Sequence, residues 1–93
     1  MYYLDVKEEA DRIFRKLSKK NKKQLLIIHK KIEEIRYNPN HIYKFLKSPL
    51  QNFNSVHIDN HFVLIFKINN IAKVVEVYYY AHHDDIYKWR PKV

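Results

Sequence analysis

The 93-residue sequence has no glycine and no cysteine, and only three prolines, one methionine and one tryptophan. Without glycine neither a P-loop nor a Rossmann fingerprint can be built, because both need a residue lacking Cβ where backbone meets phosphate. Nucleotide binding by those routes is excluded. Turns that need positive φ fall to asparagine, and Asp59-Asn60 and Asn69-Asn70 stand where hairpin turns are wanted. Without cysteine there are no disulfides and no thiolate metal ligands, which suits a reducing compartment. No apolar run approaches the roughly 18 residues of a membrane span. Asp5, Lys7, Glu8 and Glu9 interrupt the region where a secretory signal would be apolar, so the expected location is the cytoplasm.

What the sequence has in excess is positive charge. Eighteen Lys or Arg against ten Asp or Glu give a formal net charge of +8, which favours a polyanion: nucleic acid or ribosome, an acidic protein, or an anionic membrane. Up to Ser48 there are thirteen Lys or Arg against six acids, and from Pro49 onward five against four. The positive field and the chemically versatile side chains therefore belong to different halves, and a binding surface and a reactive site can be different faces. A chain of this length makes one domain, 1–93, too small for a cleft between two lobes. Any site must lie on a sheet face or at a strand end.

Hydrophobic periodicity supplies the elements. Tyr2 to Leu4 reads as a short strand, and Asp5 as the N-cap of a helix to about Leu17 whose stripe is Val6, Ala10, Ile13, Phe14 and Leu17. The basic run SKKNKK follows, with Asn21 capping a second helix that reaches Arg36 or Tyr37 on the stripe Leu25, Ile28, Ile32 and Ile35. Pro39 closes it by biasing Asn38 away from helical angles. His29 reads as a surface histidine. The segment 38–54 has no periodicity; Ile42, Phe45, Leu46, Leu50 and Phe53 are expected to pin it to the core while Lys44 and Lys47 point outward. Strands are expected over 55–58, 61–68 and 73–80, with apolar residues alternating at Val56 and Ile58, at Phe62, Leu64, Phe66 and Ile68, and at Val75, Val77 and Tyr79. Val63 and Ile65 make the other face of the middle strand apolar too, as for a strand covered on both sides. The fold class is α+β: an N-terminal helical hairpin packed on a small, mostly antiparallel sheet of three to four strands.

After the last strand, AHHDDIYKWRPKV gathers His82, His83, Asp84, Asp85 and Tyr87, with His57 on a neighbouring strand. Metal binding is disfavoured: adjacent histidines on an extended segment point in opposite directions, and there is no HExxH motif. No metal and no cofactor are expected. Cleavage of RNA suits these groups better, since it needs a base for the 2′-hydroxyl, an acid for the 5′ oxygen and cations for the phosphate. Histidine can take either proton-transfer role, tyrosine can donate, and lysine can hold phosphate. The plainer reading has Asp84 or Asp85 capping a final turn, His82 as a buried hydrogen-bonded residue, and Tyr78 to Tyr80 as strand formers.

The chain as a whole resembles the RelE/ParE family of toxin–antitoxin proteins. The element order agrees, and Val56-His57-Ile58, Phe62-Val63-Leu64-Ile65-Phe66 and His82-His83-Asp84-Asp85-Ile86-Tyr87 look like that family's pattern RVHI … FVLIY … DHHDxIY. The resemblance implies a ribosome-dependent endoribonuclease that cuts mRNA in the decoding site and is silenced by a cognate antitoxin. It implies catalytic roles for His83 and Tyr87 and phosphate stabilisation by His57 and Lys47. RNA contacts would come from Lys44, Lys19, Lys20, Lys22, Lys23 and His82. Asn54, Ser55 and Val63 stand where many relatives carry arginine, so lysine and histidine must supply the positive charge. ParE relatives share the scaffold but inhibit DNA gyrase; that alternative, and a binding module without catalysis, stay open.

Overall fold

The structure, a computed structural model, describes residues 1–92. In chain order the elements are β1 (Tyr3–Val6), α1 (Glu8–Lys20), α2 (Lys22–Tyr37), β2 (Lys44–Phe45), β3 (Asn54–Ile58), β4 (Phe62–Asn69), β5 (Val74–His82) and a single 3-10 turn (Ile86–Lys88). The sheet order is β1-β5-β4-β3-β2, with β1 parallel to β5 and every other pairing antiparallel. This is the expected α+β architecture, with one more strand. β2 pairs Lys44 with Ser55 and Phe45 with Asn54, and two residues are too short to leave a periodic signal.

The start of the first helix differs from expectation. Asp5 lies in β1 opposite Glu76, and the helix begins at Glu8 with Lys7 as its N-cap and no capping side chain. Four residues of β1 pair with β5, and those ladder bonds outweigh the one bond a cap would supply. Glu8, Glu9 and Asp11 in the first turn instead face the positive end of the helix dipole. The second helix starts as expected, with Asn21 Oδ1 accepting from the Gln24 amide at 3.1 Å.

Two apolar clusters cover the two sheet faces. On one, Ile28, Ile32 and Ile35 of α2 and Ala10 of α1 pack against Ile58, Leu64, Phe66, Val75, Val77 and Tyr80. On the other, Leu46, Leu50, Phe53, Ile86 and Trp89 close over Val63 and Ile65, with Tyr78 and Tyr79 against them. β4 is thus covered on both sides, as its composition requires. Leu46, Leu50 and Phe53 pin the connection as expected, whereas Ile42 is 92% exposed and Phe45 61% exposed. Phe45 sits on the two-residue edge strand, where no further element covers it.

The β4–β5 pairing contains a bulge. Phe66 pairs with Val77 but Ile65 pairs with Tyr79, leaving Tyr78 as the extra residue. One unpaired residue shifts the alternation by one. Tyr79 therefore leaves the face of Val75 and Val77, where strict alternation put it, and joins the second cluster; Tyr80 takes the helix-facing position. The positive φ angles also fall elsewhere than on asparagine, at Asp59 and Lys73, both 60°. Asn69 contributes its side chain instead, its Oδ1 accepting from the amides of Ile71 and Ala72.

Candidate active site

β3 ends and β4 begins beside the turn that follows β5, and there the sheet's second face is not fully covered. A depression of about 190 Å³ is lined by Lys44, Lys47, Ser55, His57, His83 and Tyr87 around a floor that includes Leu46, Val63 and Ile86. These residues come from β2, the connection after it, β3, β4 and the C-terminal segment. All four residues expected to be catalytic, His57, Lys47, His83 and Tyr87, meet here. The face itself is less open than a bare sheet, because Leu50, Phe53, Ile86 and Trp89 cover the neighbouring part.

The geometry fixes two of the polar groups. The Tyr87 hydroxyl accepts a hydrogen bond from the backbone N–H of Lys47 at 2.8 Å, which ties the C-terminal turn to the β2 connection and leaves the phenolic proton free to donate. His83 Nδ1 lies 3.0 Å from Asp84 Oδ1, an ion-pair separation when the ring is protonated. The His83 amide donates to the His61 carbonyl at 2.8 Å, anchoring the backbone that carries the ring. Asp84 thus lies beside His83 and is not the cap of the 3-10 turn; Asp85, at its start, makes no side-chain cap bond either.

Three tyrosines of β5 stand apart from the depression. Burial, the largest cause in each case, raises the phenol pKa of Tyr78, Tyr79 and Tyr80 above the ordinary value; for Tyr79 the nearby Glu9 and Asp85 carboxylates add to it. The Gln24 amide, 2.6 Å from the Tyr80 hydroxyl, acts the other way without reversing it. These three phenols serve packing.

The remaining expected contacts lie outside the depression. Lys19, Lys20, Lys22 and Lys23 are exposed at the junction of α1 and α2, across the sheet. Of the ion pairs among the described residues, none involves them. Half-buried His82 packs edge-on against Phe62, with ring centroids 5.6 Å apart. Its ring is nevertheless only 4.3 Å from that of His83, contrary to the expectation for adjacent residues of a strand. β5 ends at His82 and the chain turns at His83, so the alternation no longer applies. Asn54 is 9% exposed and donates its amide to the Tyr43 carbonyl, Val63 forms floor, and Ser55 alone of the three positions lacking arginine offers a polar side chain to the depression.

Two residues that sequence reasoning missed hold this region together. Trp89 stacks on Tyr79, with centroids 5.2 Å apart and planes 10° apart, meets Phe53 edge-on and donates Nε1–H to Glu9 Oε1 at 2.9 Å. The signal that could have found it is its being the sole tryptophan, set beside a basic tail. His61, in the turn before β4, is the other; its position opposite His83 depends on the bulge. On the helix side, an apolar groove of about 510 Å³ runs between Leu4, Val6, Phe14, Leu25, Leu26 and Ile32, with Ser18, Lys22 and His29 on its rim.

No family model matches the chain. It is 52% identical over 87 residues to an uncharacterized protein of Methanosarcina mazei, covering 94% of this chain and 100% of that one. It is 48% identical over 88 residues to a protein of Methanocaldococcus jannaschii that bears the name toxin RelE4, covering 95% of this chain and 93% of that one. Among solved structures, the YoeB/ParE toxin from Agrobacterium tumefaciens superposes with a TM-score of 0.76 at 13% identity, covering 87% of this chain and 98% of that one. The toxin–antitoxin complex RelBE2 from Mycobacterium tuberculosis gives 0.72 at 18% identity, with 88% and 98% covered. At such identities the two structures bear on the fold alone.

Proposed function

The chain belongs to the RelE/ParE family of toxins, and from that premise we propose that it is an endoribonuclease that cuts mRNA in the decoding site of the ribosome and so stops translation. One observation carries this reading: His83, Tyr87, His57, Lys47 and Lys44, drawn from separate stretches of the chain, line a single depression. The chemistry needs no cofactor. A base removes the 2′-hydroxyl proton, the 2′ oxygen attacks phosphorus, the bond to the 5′ oxygen breaks, and an acid protonates that oxygen. His83, with Asp84 beside it, is the first choice for proton transfer, and Tyr87, its hydroxyl fixed by the Lys47 amide, is the second group. His57 and the ammonium groups of Lys47 and Lys44 stabilise charge building on the phosphate. The hairpin lysines Lys19, Lys20, Lys22 and Lys23 hold ribosomal RNA by salt-sensitive, sequence-independent attraction, and His82 adds a contact at the strand end.

The partner of such a toxin is an antitoxin, and the apolar groove beside α1 and α2, where Leu26 is 68% exposed, suits the apolar face of an amphipathic helix. β1 and β2 are the sheet's edges and suit an added strand. No helix among the described residues is long and apolar enough to cross a membrane, in keeping with work on cytoplasmic ribosomes.

Mapping mRNA 5′ ends in a reconstituted translation reaction, with ribosomes present or omitted, tests the reading. New ends confined to ribosome-occupied codons, lost in His83→Ala, are expected. A folded protein that produces no new ends overturns it, and a DNA supercoiling assay then tests gyrase inhibition.

A further inference from the structure

The end of β5 carries a second arrangement, which shares His83 with the proposed site of proton transfer. His61, His82 and His83 each offer one imidazole nitrogen, and these nitrogens all lie within 4.8 Å of one another. The His61 and His82 rings are parallel to within 3° with centroids 6.1 Å apart, and His82 and His83 are 4.3 Å apart. The backbone bond from the His83 amide to the His61 carbonyl holds the two strand ends in this register. From these positions we infer that the three histidines form a binding site for a divalent transition-metal ion such as Zn2+ or Cu2+.

The donor set decides the class of ion. Three neutral imidazoles with no carboxylate among them suit zinc, copper or nickel, and suit calcium or magnesium poorly. Four-coordinate zinc with nitrogen at about 2.0–2.1 Å separates its ligands by roughly 3.4 Å. Closing from 4.8 Å to that spacing falls to the side-chain torsions of His61 and His83, both exposed. Asp84 completes the arrangement from behind: its carboxylate is 3.0 Å from His83 Nδ1 and 3.5 Å from His82 Nδ1. A carboxylate holding Nδ1–H fixes the tautomer in which Nε2 binds metal. The His82 Nδ1 now accepts from the Asp84 amide at 3.2 Å, so that ring must exchange its tautomer to bind through Nε2.

Occupancy would also engage His83, and here the inference rests on the ribonuclease reading above: the bound ion removes the imidazole from proton transfer and inhibits cleavage. The titration needs the tag-free, chelator-treated full chain. Calorimetry with Zn2+, together with the visible absorption of tetrahedral Co2+, is expected to give one ion per chain. His61→Ala, His82→Ala and His83→Ala should each weaken binding at least about tenfold, and Asp84→Asn by about 10-fold to 100-fold. His57→Ala, outside the cluster, should leave binding unchanged. Absence of saturable binding, or binding untouched by the three histidine substitutions in variants folded by circular dichroism, overturns the site. In the cleavage assay Zn2+ should inhibit the parent and spare His61→Ala, which keeps His83; equal inhibition of both overturns the inhibitory role. If the parent never cuts RNA, the ribonuclease reading falls while the titration still decides the metal site.

Discussion

Trp89→Ala removes the side chain that fastens the C-terminal segment to the sheet. Trp89 is 6% exposed, and its ring is held by Tyr79, Phe53 and the Glu9 carboxylate. A buried tryptophan removes about 150–250 Å² from water, which at about 25 cal/mol per Å² is about 4–6 kcal/mol as an upper bound. Alanine keeps part of that, and truncation of core aromatics costs about 3–5 kcal/mol. The lower end applies here, because the cluster lies under a short terminal turn that can relax. A loss of about 3 kcal/mol is about a fifth or more of the stability expected for a domain of this size, and lowers Tm by about 12–24 °C. Urea unfolding followed by circular dichroism should give a lower midpoint with an unchanged m-value. Because Tyr87 is two residues away on the same turn, cleavage should fall as well at temperatures where the variant is folded. A loss under about 1 kcal/mol would refute the argument, since the ring would then not be holding the turn.

Tyr87→Phe should change stability by no more than about 1 kcal/mol, because water can replace the phenol as acceptor for the exposed Lys47 amide, yet it should lower the single-turnover cleavage rate by about 10²–10⁴. Replacing Lys19, Lys20, Lys22 and Lys23 by glutamine should leave that rate nearly intact while weakening ribosome association, and the slope of log K against log salt, measured by filter binding, should flatten by about 0.7–0.9 for each phosphate that is no longer neutralised. Ser55→Arg supplies a guanidinium where the depression has only a hydroxyl, and one charge-assisted hydrogen bond of about 1.5–3 kcal/mol should raise kcat/KM by about tenfold or more; no gain would mean that phosphate charge is already fully met by lysine and histidine.

The parts of the fold that were legible in the sequence are those set by long periodic patterns. Ile28, Ile32 and Ile35 stand on one helical face and Leu64 and Phe66 on one strand face, and both faces are buried. His57, Lys47, His83 and Tyr87 could be picked out as candidates because their chemistry is distinctive and the family pattern gave their order, and the fold brings them to one depression. What was not legible depends on one-residue events. Asp5 has the side chain of a cap, but the register of β1 against β5 decided its role. Without the bulge at Tyr78, His61 would stand opposite His82; with it, His61 stands opposite His83, and nothing in the tyrosine run announces which residue is extra. Trp89 lay beyond the last strand in a basic tail, where no periodicity could indicate that it folds back onto Tyr79.

The positive field and the reactive groups occupy opposite faces of the sheet but the same end of it. Gln24, in the first turn of α2, donates to the Tyr80 hydroxyl at 2.6 Å, so the lysine-rich junction lies over the last residues of β5. His82 is two residues further along that strand, about 7 Å at the usual rise, and His83 begins the turn into the depression. Stacked layers pack about 10 Å apart, more than the Debye length of about 8 Å at physiological salt. On the proposed reading, the hairpin ammonium groups are therefore too well screened to stabilise charge at a phosphate held in the depression. They are close enough to hold one RNA that passes around the end of the sheet. That division predicts independence: salt and the hairpin lysines govern how long the toxin stays bound, and Lys47, His57, His83 and Tyr87 govern what happens while it does.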